Sequence, residues 1–295
     1  MKQDYPRCGI GLLCRLFGKT RNAYYDSLWR KESGLVKEDI ILQEVIALRR
    51  NLPRLGTRKL HYLLQSGLAS HGIQIGRDYL FDLLQERKLL VRQRKRKAIT
   101  TDSMHWMRKF SNLVKNVPVT RPEQVWVSDI TYIRMINQWG YLSLITDDYS
   151  RKIVGYCSRS DLMEEGCIEA LQMAISNRMH NDPMTHHSDR GSQYCSHQYV
   201  NVLYQNNIGI SMTENGDLYE NALAERVNGI IKTEFNLHSS RLGLELTYNH
   251  IKKSIKAYNE IRPHASCDHL TPEQAHLQSE QLAKRWKNHD RRINI

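Results

Sequence analysis

The spacing of apolar residues changes near residue 118, and this change restricts the chain to a two-part architecture. Before it, apolar residues recur every three or four positions, as in amphipathic helices. After it, β-branched runs alternate with helical patterns, which is typical of an α/β domain with a mixed sheet. The 295 residues are enough for two domains with separate cores. We predict a basic helical region at 1–118, a catalytic α/β core at 119–283 and a basic tail at 284–295.

The first region has the pattern of helix-turn-helix units. Gly18 is placed to end a short helix, and Thr20 is placed to begin the next one. A second helical stretch, from about residue 37 to 90, is predicted to contain three helices and a similar unit. Basic residues on these helices are candidate contacts to DNA phosphates: Arg58, Lys59, Arg77 and Arg87.

The charge of the chain is concentrated in this first region. Residues 1–118 carry a net charge of +14 and the remainder −2, within a total of +12. Such asymmetry indicates a polyanionic partner, and nucleic acid fits better than a membrane surface because no basic amphipathic helix has a Trp/Phe/Leu face. A run of cations at 91–97 is predicted to be a basic arm that binds DNA without sequence readout, with a solvated linker as the alternative. The candidate contacts in this run are Arg94, Lys95, Arg96 and Lys97.

Other sequence features exclude several classes of protein. No apolar run reaches the roughly 18 residues of a membrane span, and the first residues lack the apolar region of a signal peptide. The six cysteines are scattered without a C-x-x-C pair, which favours reduced, mostly buried thiols over disulfides or a zinc site. We therefore expect a cytoplasmic protein.

Three acidic residues are the strongest chemical signal. Asp129 and Asp189 each follow an apolar strand-like run, and Glu225 lies in a helical stretch 36 positions after Asp189. Carboxylates from two strand ends and a helix can bind a pair of hard cations, as phosphodiester chemistry on nucleic acid requires. Glu225 shares a helix face with Lys232, which is placed to contact a DNA phosphate. The spacing alone is weak evidence among 31 acidic residues, and exposed helix charges are the alternative for Glu225 and Lys232.

Residues near these acids have weaker predicted roles. Asp148 is expected to cap the turn after the second strand. His186 and His187 are expected to orient Asp189 or to contact the substrate, since no partner spacing for zinc exists. For Gln193 and Tyr194, DNA contact and packing at a helix start are equal alternatives.

Ordered sequence blocks over nearly the whole chain resemble the bacterial insertion-sequence transposases that share the retroviral-integrase catalytic core. The blocks are residues 13–25, 126–133, 141–151, 187–194, 220–225 with Lys232, and 258–264. This resemblance implies a ribonuclease H-like fold after the helix-turn-helix region, and Asp129, Asp189 and Glu225 as the catalytic and metal-binding triad. It implies Mg2+ as two ions, with Mn2+ as a substitute. Glu220 departs from the Asp that many relatives carry before Asn-Ala, and it is the rival to Glu225 as the third ligand.

The resemblance also implies an activity and partners. Water attack at an element end exposes a 3′-OH, which then attacks another DNA phosphate. The partners would be terminal inverted repeats and target DNA, further copies of the chain on paired ends, and an upstream-frame helix-turn-helix protein, all in the cytoplasm at the bacterial nucleoid. Two alternatives stay open at this point: a non-catalytic DNA-binding regulator, such as a decayed transposase, and a structure-specific nuclease on the same fold.

Overall fold

The structure is a computed structural model that describes residues 6–91, 106–115, 117–136, 138–214, 221–237, 242–279 and 282. The chain forms two compact units, one of residues 1–50 and 56–91 and the other of residues 51–55 and 92–295. The functional boundary that the sequence places at residue 118 stays a prediction. Within the described residues, no helix is long and apolar enough to cross a membrane.

The smaller unit is entirely helical in its described part. Gly18 adopts φ +65° just after the first helix, and the Thr20 hydroxyl accepts a hydrogen bond from the Ala23 N–H, as both capping predictions require. The second helix then continues through Gly34 without a break, whereas two separate helices were expected. A single glycine costs about 1 kcal/mol in a helix, too little to end one this long. The helices are α1 (Ile10–Leu16), α2 (Arg21–Asn51), α3 (Thr57–Ser70) and α4 (Arg77–Glu86).

The larger unit contains a five-stranded mixed sheet. The first three strands form an antiparallel meander, and the fourth and fifth join it in parallel, which makes the mixed sheet that the sequence predicts. The spatial order is β3-β2-β1-β4-β5, so β1 lies at the centre and β3 and β5 at the edges. The strands are β1 (Val125–Arg134), β2 (Trp139–Asp147), β3 (Ile153–Arg159), β4 (Met184–Ser188) and β5 (Ile208–Met212).

Helices cover both faces of this sheet. On one face, α5 and α7 enclose the main core around Trp126, Leu171 and Tyr199. On the other face, Ala224 of α8 packs against Val125 and Val127. The helices are α5 (Glu164–Ser176), α6 (Ser192–Cys195), α7 (His197–Gln205), α8 (Ala222–Glu234), α9 (Leu244–Glu260) and α10 (Pro272–His276).

Gly155 on β3 shows how closely α5 approaches the sheet. A Cβ atom at this position would lie 2.1 Å from the Ala170 carbonyl oxygen and 2.8 Å from the Ala174 Cβ. Any side chain here would push α5 away from β3. Glycine is therefore required at this position to bring the helix backbone against the strand.

The last helices are tied to the turn between β2 and β3. The Tyr258 hydroxyl donates to the Arg151 carbonyl at 2.9 Å, and the Asn259 amide bonds both the N–H and the carbonyl of Ile153. At the end of α9, the Arg262 guanidinium makes two bonds to the Glu234 carboxylate, at 2.7 and 2.8 Å. Glu234, the last residue of α8, is thus bound to Arg262, which lies just after the end of α9.

The turn itself is capped by Asp147 rather than by Asp148, which the sequence favoured. The Asp147 carboxylate accepts the N–H of Glu123 at 2.8 Å and both the N–H and the hydroxyl of Ser150. Asp147 is fully buried, whereas Asp148 pairs with Arg151 nearer the surface. Asp147 is the last residue of β2 and Asp148 follows it. The two aspartates are alike in sequence, and only their burial and their partners separate their roles.

Candidate active site

Asp129 lies in the middle of β1. Its sequence context had suggested the end of a strand, and this expectation was wrong. β1 pairs with β2 along nearly its whole length, but it pairs with β4 only at residues 125–127. Continuing that register places Asp129 level with Asp189, which directly follows the last residue of β4. Adjacent strands lie about 4.8 Å apart, so the two aspartates come together where β4 ends and β1 continues.

Glu225 approaches the same place from α8. Asn221, which precedes this helix, donates its side-chain amide to the Ser128 carbonyl at 3.0 Å. One face of the helix then presents Glu225, Asn228 and Lys232, four, seven and eleven positions further along. The Asn228 amide donates to the Asp129 Oδ2 atom at 2.8 Å. These two bonds hold α8 against β1 beside the aspartates.

The charges of both other carboxylates act on Asp129. Burial, together with the negative charge of Asp189, raises the pKa of Asp129 to about 7. The Asn228 amide and the Ile130 N–H act in the opposite direction, while Glu225 adds a smaller increase. Such a cluster of like charges is stabilised by a cation.

Lys232 supplies positive charge at the edge of this cluster. Burial lowers the pKa of its ammonium group, and the negative charge of Asp129 acts in the opposite direction. The lysine side chain is half-buried one helical turn beyond Asn228. In the structure, a cation therefore lies on the same helix face as Glu225, as the sequence predicts.

The side chains fit a hard metal ion in their chemistry. Carboxylate and amide oxygens are the ligands that Mg2+ takes, and the buried Asn228 Oδ1 atom has no hydrogen-bond partner among the described residues. Within those same residues, no group of three or more His, Cys, Asp or Glu side chains is arranged closely enough to hold a metal as it stands. The carboxylates thus converge on one region without forming a closed set of ligands.

Asp189 leaves its strand through a turn that needs a small residue. Its Oδ1 atom accepts the Gly191 N–H at 3.0 Å. Gly191 has φ −63°, which any residue adopts, so its role is not conformational freedom. A Cβ atom there would lie 3.1 Å from Asp189 Oδ1 and 3.3 Å from Gln193 Oε1. The glycine therefore leaves room for the carboxylate.

The histidines before Asp189 are buried. The His186 Nε2 atom lies 2.6 Å from the Ser128 hydroxyl and 2.8 Å from the Tyr199 hydroxyl, and burial lowers its pKa to about 3. The His187 Nδ1 atom lies 2.9 Å from the Ser211 hydroxyl. Burial of both rings argues against the substrate contact that the sequence left open.

The residues after Asp189 favour packing over DNA contact. Tyr194 is 3% exposed, and the Gln193 amide donates to the Leu162 carbonyl.

Asn228 is the important residue that the sequence left without a role. Its position between Glu225 and Lys232 on one helix face was the signal that could have identified it.

Three predicted DNA contacts of the smaller unit lie at helix starts, and Arg87 directly follows the end of α4. Arg58 is exposed and Lys59 is half-buried at the start of α3. Arg77 begins α4 and pairs with Asp78 at 2.8 Å, and Arg87 pairs with Glu38 at 2.8 Å. Arg94, Lys95, Arg96, Lys97 and Glu220 lie outside the described residues.

Comparisons with known proteins identify the family. Two models of the integrase core domain match residues 119–217 and 206–272. The uncharacterized 31 kDa protein of insertion element IS600 from Shigella sonnei is 33% identical over 264 residues, covering 88% of this chain and 96% of that protein. The chain belongs to the insertion-sequence transposases with an integrase core. The resemblance inferred from the sequence blocks is confirmed.

One further relative and two solved structures are similar to parts of this chain. The transposase InsF for insertion sequence IS3A from Escherichia coli (strain K12) is 34% identical over 157 residues, covering 52% of this chain and 54% of that protein. Among solved structures, the HTLV-2 integrase catalytic core domain in complex with magnesium covers 53% of this chain at 23% identity and a TM-score of 0.44. A simian T-cell lymphotropic virus intasome chain covers 79% at 20% identity and a TM-score of 0.48.

Family membership confirms the main sequence predictions. The chain is a DNA transposase of the polynucleotidyl transferase type, and its mixed sheet with flanking helices is the ribonuclease H-like integrase core, preceded by a helical region. Integrase cores are metal-dependent. The non-catalytic regulator and the structure-specific nuclease are not favoured. All six cysteines are free thiols, as expected.

Proposed function

We propose that Asp129, Asp189 and Glu225 are the catalytic carboxylates of this transposase and that they hold two Mg2+ ions, for which Mn2+ can substitute. The observation that carries this proposal is the convergence of the three carboxylates: the β1–β4 register brings Asp129 level with Asp189, and the Asn228 bond brings α8, the helix of Glu225, to Asp129. The pKa of Asp129 is raised by burial first and then by the charges of Asp189 and Glu225. When bound, such ions activate the attacking oxygen and stabilise the leaving 3′-oxygen. The role of the protein side chains is to hold these ions in a single arrangement.

The reaction consists of two exchanges at phosphorus. In the first, water attacks the scissile phosphate, the P–O3′ bond breaks, and the element end keeps a 3′-OH. In the second, that hydroxyl attacks a target phosphate, and one phosphodiester bond forms as another breaks. Asn228 keeps Asp129 oriented through its 2.8 Å bond, and Lys232 offers an ammonium to a phosphate oxygen. No covalent enzyme intermediate is needed.

The remaining regions have proposed roles in holding DNA. Residues 1–118 would recognise terminal inverted repeats, with phosphate contacts from Arg58, Lys59, Arg77 and the run 94–97, while 119–283 carries the chemistry. We propose that copies of the chain assemble on paired ends, alone or fused to an upstream-frame helix-turn-helix protein, in the bacterial cytoplasm at the nucleoid.

The test replaces each carboxylate without changing its size. Asp129→Asn, Asp189→Asn and Glu225→Gln should each abolish strand transfer in Mg2+, weaken Mn2+ binding in calorimetry, and leave DNA binding in EDTA intact. Asp182→Asn, a surface carboxylate that lies 3.9 Å from Arg121, is the matched control and should stay active. Full strand transfer by any triad variant would overturn its assignment.

The choice between Glu225 and Glu220 needs its own variant. Glu220→Gln is expected to remain active because Glu225 contributes to the charge around Asp129. An inactive Glu220→Gln protein beside an active Glu225→Gln protein would make Glu220 the third ligand. The products matter as well: joined strands demonstrate transposition, and cleaved strands alone indicate a nuclease.

A further inference from the structure

Segment 106–115 lies along the outer edge of β5, the edge strand of the sheet. The Ser111 carbonyl accepts the Met212 N–H at 3.4 Å, and the Leu113 N–H bonds the Ser211 hydroxyl at 2.8 Å. These bonds cover an edge that would otherwise expose unpaired backbone groups. The segment therefore has a fixed position on the catalytic sheet.

The direction of the segment places its first residues near the active site. Leu113 and Val114 line a cavity of about 300 Å³ together with Val125 and Met184, which begin β1 and β4. The residues before Ser111 consequently extend toward the opposite ends of the strands, where Asp189 lies. Met212 pairs with Ser188, so Ser111 is two strand spacings, about 10 Å, from the residue preceding Asp189.

Side chains at 106–110 divide into buried anchors and outward groups. Met107 and Phe110 are partly buried against the main core. Arg108 and Lys109, which lie between these two anchors, are exposed. Trp106, which precedes Met107, is 86% exposed. The Arg108 guanidinium lies 5.1 Å from the centre of the Phe110 ring, which restricts its direction. An aromatic ring and two cations are thus presented to solvent from an anchored backbone.

The electrostatics of Cys195 agree with a position of Lys109 near Asp189. Burial raises the pKa of this thiol to about 11 and the charge of Asp189 adds to the increase, while Lys109 and Arg190 act in the opposite direction. Cys195 also touches the end of β5, with its Sγ atom 3.7 Å from the Met212 sulfur. Lys109 and Asp189 are therefore both near enough to Cys195 for their charges to act on its thiol.

We propose that Trp106, Arg108 and Lys109 bind the DNA strand beside the reacting phosphate, with the two cations on its backbone and the indole stacked on an unpaired base. This inference rests on the proposed function, because it assumes that DNA reacts at Asp129 and Asp189. A carboxylate cluster repels phosphates, and neighbouring cations offset that repulsion. An indole stacks on any base, so the surface would hold strands of varied sequence.

The test measures DNA binding without chemistry. Full-length protein in EDTA is titrated with a single-stranded oligonucleotide of element-end sequence containing 2-aminopurine. Trp106→Ala should weaken binding about tenfold and remove the fluorescence quenching that stacking causes, while Trp106→Phe should keep most of both. The Arg108→Gln, Lys109→Gln double variant should reduce the slope of log affinity against log salt by about 1.4.

Matched controls lie elsewhere on the same unit. Trp139→Ala removes an indole that is 45% exposed, and Lys252→Gln with Lys253→Gln removes two exposed cations of α9. Both controls should bind like the parent protein. Unchanged quenching and salt slope in the Trp106 and Arg108, Lys109 variants, or equal losses in the controls, would overturn the proposal. These readouts need no catalysis. Active triad variants would therefore refute only the proposed function, and unchanged DNA binding would refute only this inference.

Discussion

At the scale of single residues, the acidic site depends on one amide. Asn228 is 3% exposed, and its bond to Asp129 lowers a pKa that burial and the neighbouring carboxylates raise. The same helix face carries Glu225 and Lys232, so two turns of helix supply a carboxylate, an amide and an ammonium. Asn228 bonds Asp129, which is 99 positions away in sequence.

A second group of titratable residues stabilises the fold. The His276 Nδ1 and Nε2 atoms lie 3.4 Å from Asp147 and 3.5 Å from Glu123, and all three side chains are buried. Burial alone lowers the pKa of His276, but hydrogen bonds to the two carboxylates outweigh it and raise the pKa to about 9. Because the folded-state pKa exceeds the ordinary value of 6.5, this contribution to stability is complete below pH 6.5 and is lost as the pH rises through 9.

His276→Gln should therefore change the pH dependence of stability. We expect the parent protein to be more stable than the variant at pH 6 and the difference to shrink by about 3 kcal/mol toward pH 9.5. Titrating groups remote from His276, including Asp129, are present in both proteins and cancel in the difference. Urea unfolding at several pH values measures this difference in stability. Parallel stability curves for the two proteins would mean that the His276 imidazole is not charged in the folded state.

At the scale of elements, α8 is held at three points. Asn221 bonds the backbone of β1 at one end, Asn228 bonds Asp129 in the middle, and Glu234 receives Arg262 at the other end. Arg262 is 2% exposed, and its guanidinium lies 5.5 Å from the centre of the Tyr258 ring. The motif at 258–264 thus connects the helix of Glu225 to the turn after β2, which explains its presence far from the carboxylates.

Arg262→Met should destabilise the protein by about 3 kcal/mol, because removing one partner leaves the Glu234 carboxylate in a mostly buried position without its guanidinium. The Arg262→Met, Glu234→Leu double variant should recover much of this loss, since no charge then remains buried. Lys152→Met, which breaks the more exposed pair with Glu273, is the control and should cost under about 1 kcal/mol. A double variant as unstable as the single one would exclude the ion pair as the cause.

At the scale of the whole molecule, basic and acidic functions are separated along the chain. The net charge of +14 over residues 1–118 contrasts with −2 over the rest, which contains the carboxylates. The first region is expected to supply affinity for DNA through phosphates, and the second to supply the chemistry. The run 92–97 lies between the helices of the smaller unit and the catalytic sheet in sequence.

Replacing Arg94, Lys95, Arg96 and Lys97 by Gln should weaken binding to element-end and unrelated duplexes equally. If all four contact phosphates, the salt slope should fall by about 3 to 4, since each contact contributes about 0.9. The measurement is binding at several salt concentrations, with Lys252→Gln, Lys253→Gln, Lys256→Gln as a control for lost charge. An unchanged slope would mean that the run is a linker.

The sequence by itself determined the order and type of the strands and of most helices, because apolar period and capping residues act locally. It did not identify α9, and it divided α2 into two helices. It also determined the three acids and the charge asymmetry. Only the tertiary structure decided that Asp129 lies in mid-strand level with Asp189, that Asn228 reaches Asp129, and that Asp147 rather than Asp148 caps the turn. These features depend on strand register and on contacts across as many as 126 residues, as between Ser150 and His276. Local patterns carry no information about such contacts, since packing of distant elements selects them.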